Sequence, residues 1–167
     1  MEKLANLSVG IRPDAVQIND TLKGVTQNLG FSAVAYRGRR MLELIAVGAG
    51  GFIGSCFRYL ITKQTENILG SFPLGTLLSN VTAGFLVGFI IGLERQTFGL
   101  SQKTKLFLTT GLLGGLSTFS AFSLETVMLF KSENYLLSIG NVALNLGLSL
   151  LGVILGLACA KFTISFS

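Results

Sequence analysis

The chain has 167 residues, half of them hydrophobic and only 13% charged, with 21 glycines, no histidine and no tryptophan. A soluble domain carries nearer a quarter charged residues, so the composition excludes an ordinary soluble enzyme or binding module and indicates an integral membrane protein. The net charge of +5 comes largely from basic residues beside long apolar runs. That placement fits headgroup contact and orientation in a lipid bilayer, and no aromatic–basic interleaving supports binding to nucleic acid.

Residues 1–40 are mixed polar, with Pro13, scattered Gly and Asn, and the acids Asp14 and Asp20. They contain neither the basic start nor the apolar core of a secretory signal, and the two aspartates argue against an organelle transit peptide. Val16, Ile18, Leu22, Val25 and Leu29 could form a loose amphipathic helix on a membrane surface. Composition favours the alternative, a disordered polar extension. Met41 follows Arg37, Arg39 and Arg40 and opens the first apolar run, so the working protein is expected to begin near it.

Four apolar runs predict four transmembrane helices, at about 42–62, 73–93, 106–130 and 135–160. The fold class is therefore all-α, with a four-span membrane domain over 41–167. In the first span Gly50 and Gly54 are four apart, the spacing that lets helix backbones approach closely. Arg58, next to Tyr59, reads equally as a cation snorkelling to the interface and as a cation at the mouth of an anion path. Cys56 and Cys159 lie within apolar runs and read as small buried residues.

Pro73 and Leu74 open the second span, where a proline's missing N–H has no partner to lose. Gly84, Gly88 and Gly92 draw a stripe for tight packing, and Asn80 is a polar group near the start of this helix. Gly152 and Gly156 give the fourth span one more close-packing pair. Asn141, Asn145 and Ser149, each four apart, line one face of that helix and are expected to meet protein or a polar path, not lipid. The glycine stripes are expected to serve contacts within the chain and between subunits.

The third span holds the stretch of most interest, GLLGGLSTFSAFSLE at Gly111–Glu125. Gly111, Gly114 and Gly115 weaken the helix, and Ser117, Thr118, Ser120 and Ser123 compete for its backbone hydrogen bonds. A helix broken mid-membrane is expected here. Backbone groups freed at that depth persist only where protein, water or an ion satisfies them, and such breaks mark binding sites in transport proteins.

Catalysis has little to work with. There is no histidine, no aspartate after Asp20, and Glu125 is the only carboxylate clearly inside a span. Paired carboxylates, a side-chain metal cluster and a base for the serines are all missing, so the chain is not expected to be an enzyme. Hydroxyls of the third span and amides of the second and fourth remain. Neutral donors suit a small, partly dehydrated anion that must also leave again. Phe119 and Phe122, three apart, could add the positive edges of their rings.

From about Met41 onward the chain resembles the small bacterial fluoride channels of the Fluc or CrcB type. GGFIGSCFRY at Gly50–Tyr59, PLGTLLSNVTAG at Pro73–Gly84 and GLLGGLSTFSAFSLE at Gly111–Glu125 carry the resemblance, in the same order and one per span. It implies a fluoride-selective channel in the cell inner (plasma) membrane that exports fluoride and relieves its toxicity. It also implies an antiparallel dimer with two narrow pathways and a central structural sodium ion (Na+). The sodium ligands would be the backbone carbonyls of Gly114 and Ser117. The implied pathway residues are Asn80, Phe119, Phe122, Glu125 and Arg58, joined by the hydroxyls of Ser120 and Ser123. In the fourth span the family often has a tyrosine followed by serines; Asn141, Asn145 and Ser149 stand at that spacing here. Ala121 stands where a threonine is frequent and removes a hydroxyl. The runner-up is a small four-span proton-coupled multidrug antiporter using Glu125.

The partner is either a second copy or an oppositely oriented homologue. Arg37, Arg39, Arg40, Arg95, Lys103, Lys105 and Lys161 fall on one side of the membrane, against Lys63 and Lys131 on the other. The positive-inside rule then favours both termini in the cytoplasm and a heterodimer. A start at Met41 would remove the three flanking arginines and make dual insertion, hence a homodimer, feasible.

Overall fold

The computed structural model describes residues 13–94 and 99–165, and all the regular structure among them is helical. Helix α1 runs Pro13–Thr65 and α2 runs Leu74–Glu94. Helix α3 is built of three successive pieces, Gln102–Lys105, a π-helical stretch Leu106–Leu113, and Gly114–Leu116. Helix α4 covers Phe119–Lys131 and α5 covers Tyr135–Ser165. Four segments are long and apolar enough to cross a membrane: Gly38–Thr65, Leu74–Glu94, Gln102–Lys131 and Tyr135–Thr163. These are the four spans expected, the second shifted by one residue and the other three a few residues longer. The chain is a multi-pass membrane protein.

The chain divides into two compact units, Met1–Met41 and Leu42–Ser167. From Pro13 onward the first unit is helix, in the region where a surface helix was weighed against a disordered extension. Its first 12 residues, and its side chains up to residue 37, lie outside the described residues. Everything that follows concerns the second unit.

Local chemistry sets the span ends. Pro73 stands just before α2, and its carbonyl accepts the Leu77 N–H at 3.3 Å. Ser101 caps α3, its hydroxyl accepting the Thr104 N–H at 3.2 Å, which starts the third span earlier than the apolar run alone suggests. Lys105 Nζ reaches Glu94 Oε1 at 2.9 Å and ties the start of α3 to the end of α2. Arg95, between them, lies outside the described residues.

Glycines decide how the helices pack. A Cβ on Gly84 would lie 2.7 Å from the Ser149 carbonyl oxygen, and one on Gly152 would lie 3.0 Å from that of Val81. Gly88 and Gly156 face the carbonyls of Val153 and Phe85 even more closely. The two stripes therefore interlock, α2 against α5, with backbone on backbone. Gly50 and Gly54 do the same for α1 against α3, meeting the backbone of Phe107, Leu112 and Leu116. Within one chain all three stripes are occupied by intrachain contacts. The large apolar side chains instead face outward: Leu136 is 83% exposed and Phe52 73%. An apolar exterior is what a bilayer requires, since lipid tails solvate leucine as well as protein does.

Candidate functional site

Between α3 and α4 the backbone leaves the helix for two residues. Ser117 (φ −77°, ψ 150°) and Thr118 (φ −149°, ψ 121°) are extended, and α4 starts at Phe119. The hydroxyl residues, not the glycines, occupy this point. Gly111 and Gly115 sit within α3, where a Cβ would strike Val47 at 2.8 Å and Gly51 at 2.5 Å. Their small size serves close approach to α1. Thr118 caps α4, its hydroxyl accepting the Ala121 N–H at 3.2 Å. The N–H of Ser117 still reaches Leu113 C=O at 3.0 Å, but that of Thr118 leaves the helical ladder.

Asn80, from α2, receives it. Asn80 Oδ1 accepts the Thr118 N–H at 2.8 Å and the Ser117 hydroxyl at 2.9 Å. Its Nδ2 donates to Asn145 Oδ1 at 2.9 Å and to Thr118 C=O at 3.3 Å. Asn145 Nδ2 donates on to Asn141 Oδ1 at 2.8 Å and to Asn141 C=O at 3.1 Å. Asn141 Nδ2 donates to Thr126 Oγ1 at 2.8 Å, whose proton goes to Phe122 C=O at 2.7 Å. A single file of hydrogen bonds thus joins α2, α5 and α4.

Above this file lies a groove of about 420 Å³, among whose lining residues are Asn80, Gly114, Ser117, Phe119, Phe122, Asn145 and Ser149. The Phe119 and Phe122 rings are 5.5 Å apart at 56°. Phe119 is 75% exposed, whereas Phe122 is buried. The Ser149 hydroxyl is buried and has no hydrogen-bond partner. Seven residues singled out in the sequence thus converge on one groove.

The other five stand elsewhere. Arg58 donates from Nε to Gly115 C=O at 3.2 Å, a cation on the last turn of α3 where carbonyls run out of ladder donors. Glu125 Oε1 accepts the Thr76 hydroxyl at 2.6 Å, while its Oε2 is buried without a partner. Asn141 is fully buried and does not line the groove. Ser120 is exposed and shares a 3.2 Å hydrogen bond with the Thr118 hydroxyl. Ser123 spends its proton on Phe119 C=O, one turn back in its own helix, at 2.8 Å.

Two residues that bond these side chains, Thr76 to Glu125 and Thr126 to Asn141, were not singled out from the sequence. Thr76 lies four before Asn80, on the same face of α2, and that spacing was the available signal. Thr126 has no such signal, because a threonine on a helix ordinarily bonds its own preceding turn. Cys56 and Cys159, expected to be buried, are both exposed. They sit on the outward apolar face of their helices, which in a bilayer is solvated by lipid.

No three His, Cys, Asp or Glu among the described residues come together as a metal site. A hard cation here would have to use backbone oxygen. Gly114 and Ser117 are both exposed, at the negative end of the α3 dipole, where terminal carbonyls have no following turn. Those two carbonyls fit part of an oxygen shell, not a whole one.

The pattern of the family described as CrcB-like protein, Camphor Resistance (CrcB), matches residues 45–157. A protein of Clostridium novyi named fluoride-specific ion channel FluC is 50% identical over 123 residues, covering 73% of this chain and 96% of that protein. A protein of the same name from Clostridium perfringens (strain 13) is 44% identical over 124 residues, covering 74% and 97%. Another from Rhizobium meliloti is 41% identical over 122 residues, covering 72% and 98%. The matched region contains the break, the groove and the amide file, and on this evidence the chain belongs to the CrcB-like family.

Proposed function

We propose that the protein is a channel that lets fluoride leave the cytoplasm across the inner membrane. The observation that carries this reading is the groove at the Ser117–Thr118 interruption, where a few neutral polar groups and two phenyl rings are set in an otherwise aliphatic wall, with no charged side chain among the described residues that line it. Relatives covering nearly their whole length bear the name of fluoride-specific channels, which agrees with that chemistry.

The interruption presents two opposite helix ends. The positive end of α4, at Phe119, favours an anion, and the negative end of α3, at Leu116, favours a cation. Fluoride would move past the Phe119 and Phe122 ring edges and the Ser149 hydroxyl, groups that hold an anion without trapping it. Asn80 and Asn145 would complete the polar wall, with Ser120, Ser123, Glu125 and Arg58 nearer its ends.

The active form in this reading is an antiparallel dimer, with a second copy or an oppositely oriented homologue. Two-fold symmetry would bring a second Gly114–Ser117 segment against the first and double the carbonyls available to a sodium ion. That ion would hold the interface together and would not be transported.

The test is efflux from proteoliposomes loaded with potassium fluoride and followed with a fluoride electrode, with valinomycin to carry the counter-ion. Rapid fluoride release, with chloride retained under the same conditions, is the expected result. Fluoride retention by vesicles holding folded protein would overturn the proposal. For the cation, replacing sodium by a large organic cation should lower the unfolding temperature of the dimer.

A further inference from the structure

The amide file has a fixed direction, and the geometry sets it without reference to hydrogen positions. A backbone N–H can only donate, so the Asn80 atom 2.8 Å from the Thr118 nitrogen is oxygen. Its nitrogen then faces Asn145, whose facing atom must accept. A second anchor, independent of the first, agrees. A backbone C=O can only accept, so the Asn145 atom 3.1 Å from the Asn141 carbonyl is nitrogen. From there Asn141 must turn its oxygen to Asn145 and its nitrogen to Thr126. No amide in the file can flip without setting two oxygens or two nitrogens face to face. Asn141 is 0% and Asn145 4% exposed, which leaves them little water to absorb such a mismatch.

From this we infer that Asn141 is a positioning residue: its side-chain oxygen adds a second, shorter bond to the Asn145 nitrogen beside that of its backbone carbonyl, and so backs the orientation in which the Asn80 oxygen meets the Thr118 N–H at the Ser117–Thr118 interruption. Asn80 in this orientation stands in for the missing helical turn and keeps the two residues extended. Asn141 itself touches no part of the groove. The consequence for transport rests on the channel reading; the orientation of Asn80 does not.

Two substitutions with the same branching and heavy-atom count separate positioning from packing. Asn141→Leu removes both side-chain links and leaves only the backbone carbonyl's bond to Asn145. Asn141→Asp, as the neutral acid, still accepts from Asn145 and still donates to Thr126. Two measurements apply to each variant. The first is the side-chain amide NMR resonance of Asn80 in 15N-labelled protein, assigned by its loss in Asn80→Asp. The second is fluoride efflux from vesicles. The Asn80 resonance should move in Asn141→Leu and return to its original position in Asn141→Asp. Efflux should fall about tenfold in Asn141→Leu, recover in Asn141→Asp, and fall no further when Asn141→Leu is added to Asn80→Ala. An unmoved Asn80 resonance in Asn141→Leu would overturn the inference, as would equal behaviour of Leu and Asp. Should Asn141→Leu not fold, Thr126→Val, which removes the file's last acceptor, is read by the same two measurements. Absence of efflux from the unsubstituted protein would defeat the channel reading alone, leaving the resonances to decide this one.

Discussion

Replacing Asn80 by alanine removes the group that closes the interruption, and the structure allows its cost to be estimated. Three short hydrogen bonds vanish: those from the Ser117 hydroxyl (2.9 Å), from the Thr118 N–H (2.8 Å) and to Asn145 Oδ1 (2.9 Å). Interhelical side-chain bonds in membrane proteins average about 0.6 kcal/mol, because the membrane-unfolded chain also finds partners. Three of them come to about 2 kcal/mol on that average. The Thr118 N–H is a special case, since it has left the helical ladder and would have no acceptor. An orphaned backbone donor costs about 1–3 kcal/mol, and the partial burial of Thr118 places it at the low end. With the Thr118 N–H counted at that cost in place of the average, Asn80→Ala should destabilise the fold by about 2 kcal/mol. Reversible unfolding in mixed micelles, with helix content as the signal, measures this. Ser123→Ala is the control, because its hydroxyl bonds only the preceding turn, and it should change stability by less than about 0.5 kcal/mol. If Asn80→Ala were as mild as the control, Asn80 would not be closing the interruption and the reasoning would fail.

Phe119→Ile and Phe122→Ile should each lower fluoride flux about tenfold, equivalent to about 1.4 kcal/mol of lost ring-edge stabilisation, while assembly stays intact. Size-exclusion profiles and efflux rates check both halves of that statement, and wild-type flux in both variants would remove the rings from the pathway. Gly88→Val should cost at least about 3 kcal/mol and abolish folded expression, because the added carbon collides with the Val153 backbone. Gly147→Ala, whose Cβ meets nothing within 4 Å, should express normally. A reporter fused to the C-terminus should give signal from the cytoplasmic side alone in the full chain, and from both sides once residues 1–40 are deleted. Signal from both sides with the full chain would refute single-orientation insertion.

Much of this architecture was legible because bilayer thickness leaves few alternatives for four long apolar runs. The stripe Gly84, Gly88 and Gly92 and the pair Gly152 and Gly156 each announced a close helix contact, while the structure shows that they meet each other. The interruption was legible in kind but not in cause. Glycines Gly111 and Gly115 drew attention as helix weakeners, yet they serve the approach of α1, and Ser117 and Thr118 occupy the extended positions. Helix propensity cannot make that distinction, since a glycine that weakens a helix and one that admits a neighbouring backbone look alike in sequence. The alignment of Asn141, Asn145 and Ser149 on one face was clear from spacing, but their separation by depth was not. Asn141 is fully buried away from the groove wall, while Ser149 lines it with its hydroxyl unpaired. That difference depends on Thr126 across the helix interface, which no local pattern reveals.

The central claim is that this chain conducts fluoride, and efflux from reconstituted vesicles tests it most directly. Purified protein in liposomes loaded with fluoride and chloride should release the fluoride within seconds of valinomycin addition and retain the chloride. Asn80→Ala and Phe119→Ile should slow that release. Retention of fluoride, or release of both anions together, from vesicles shown to contain folded protein would contradict the account.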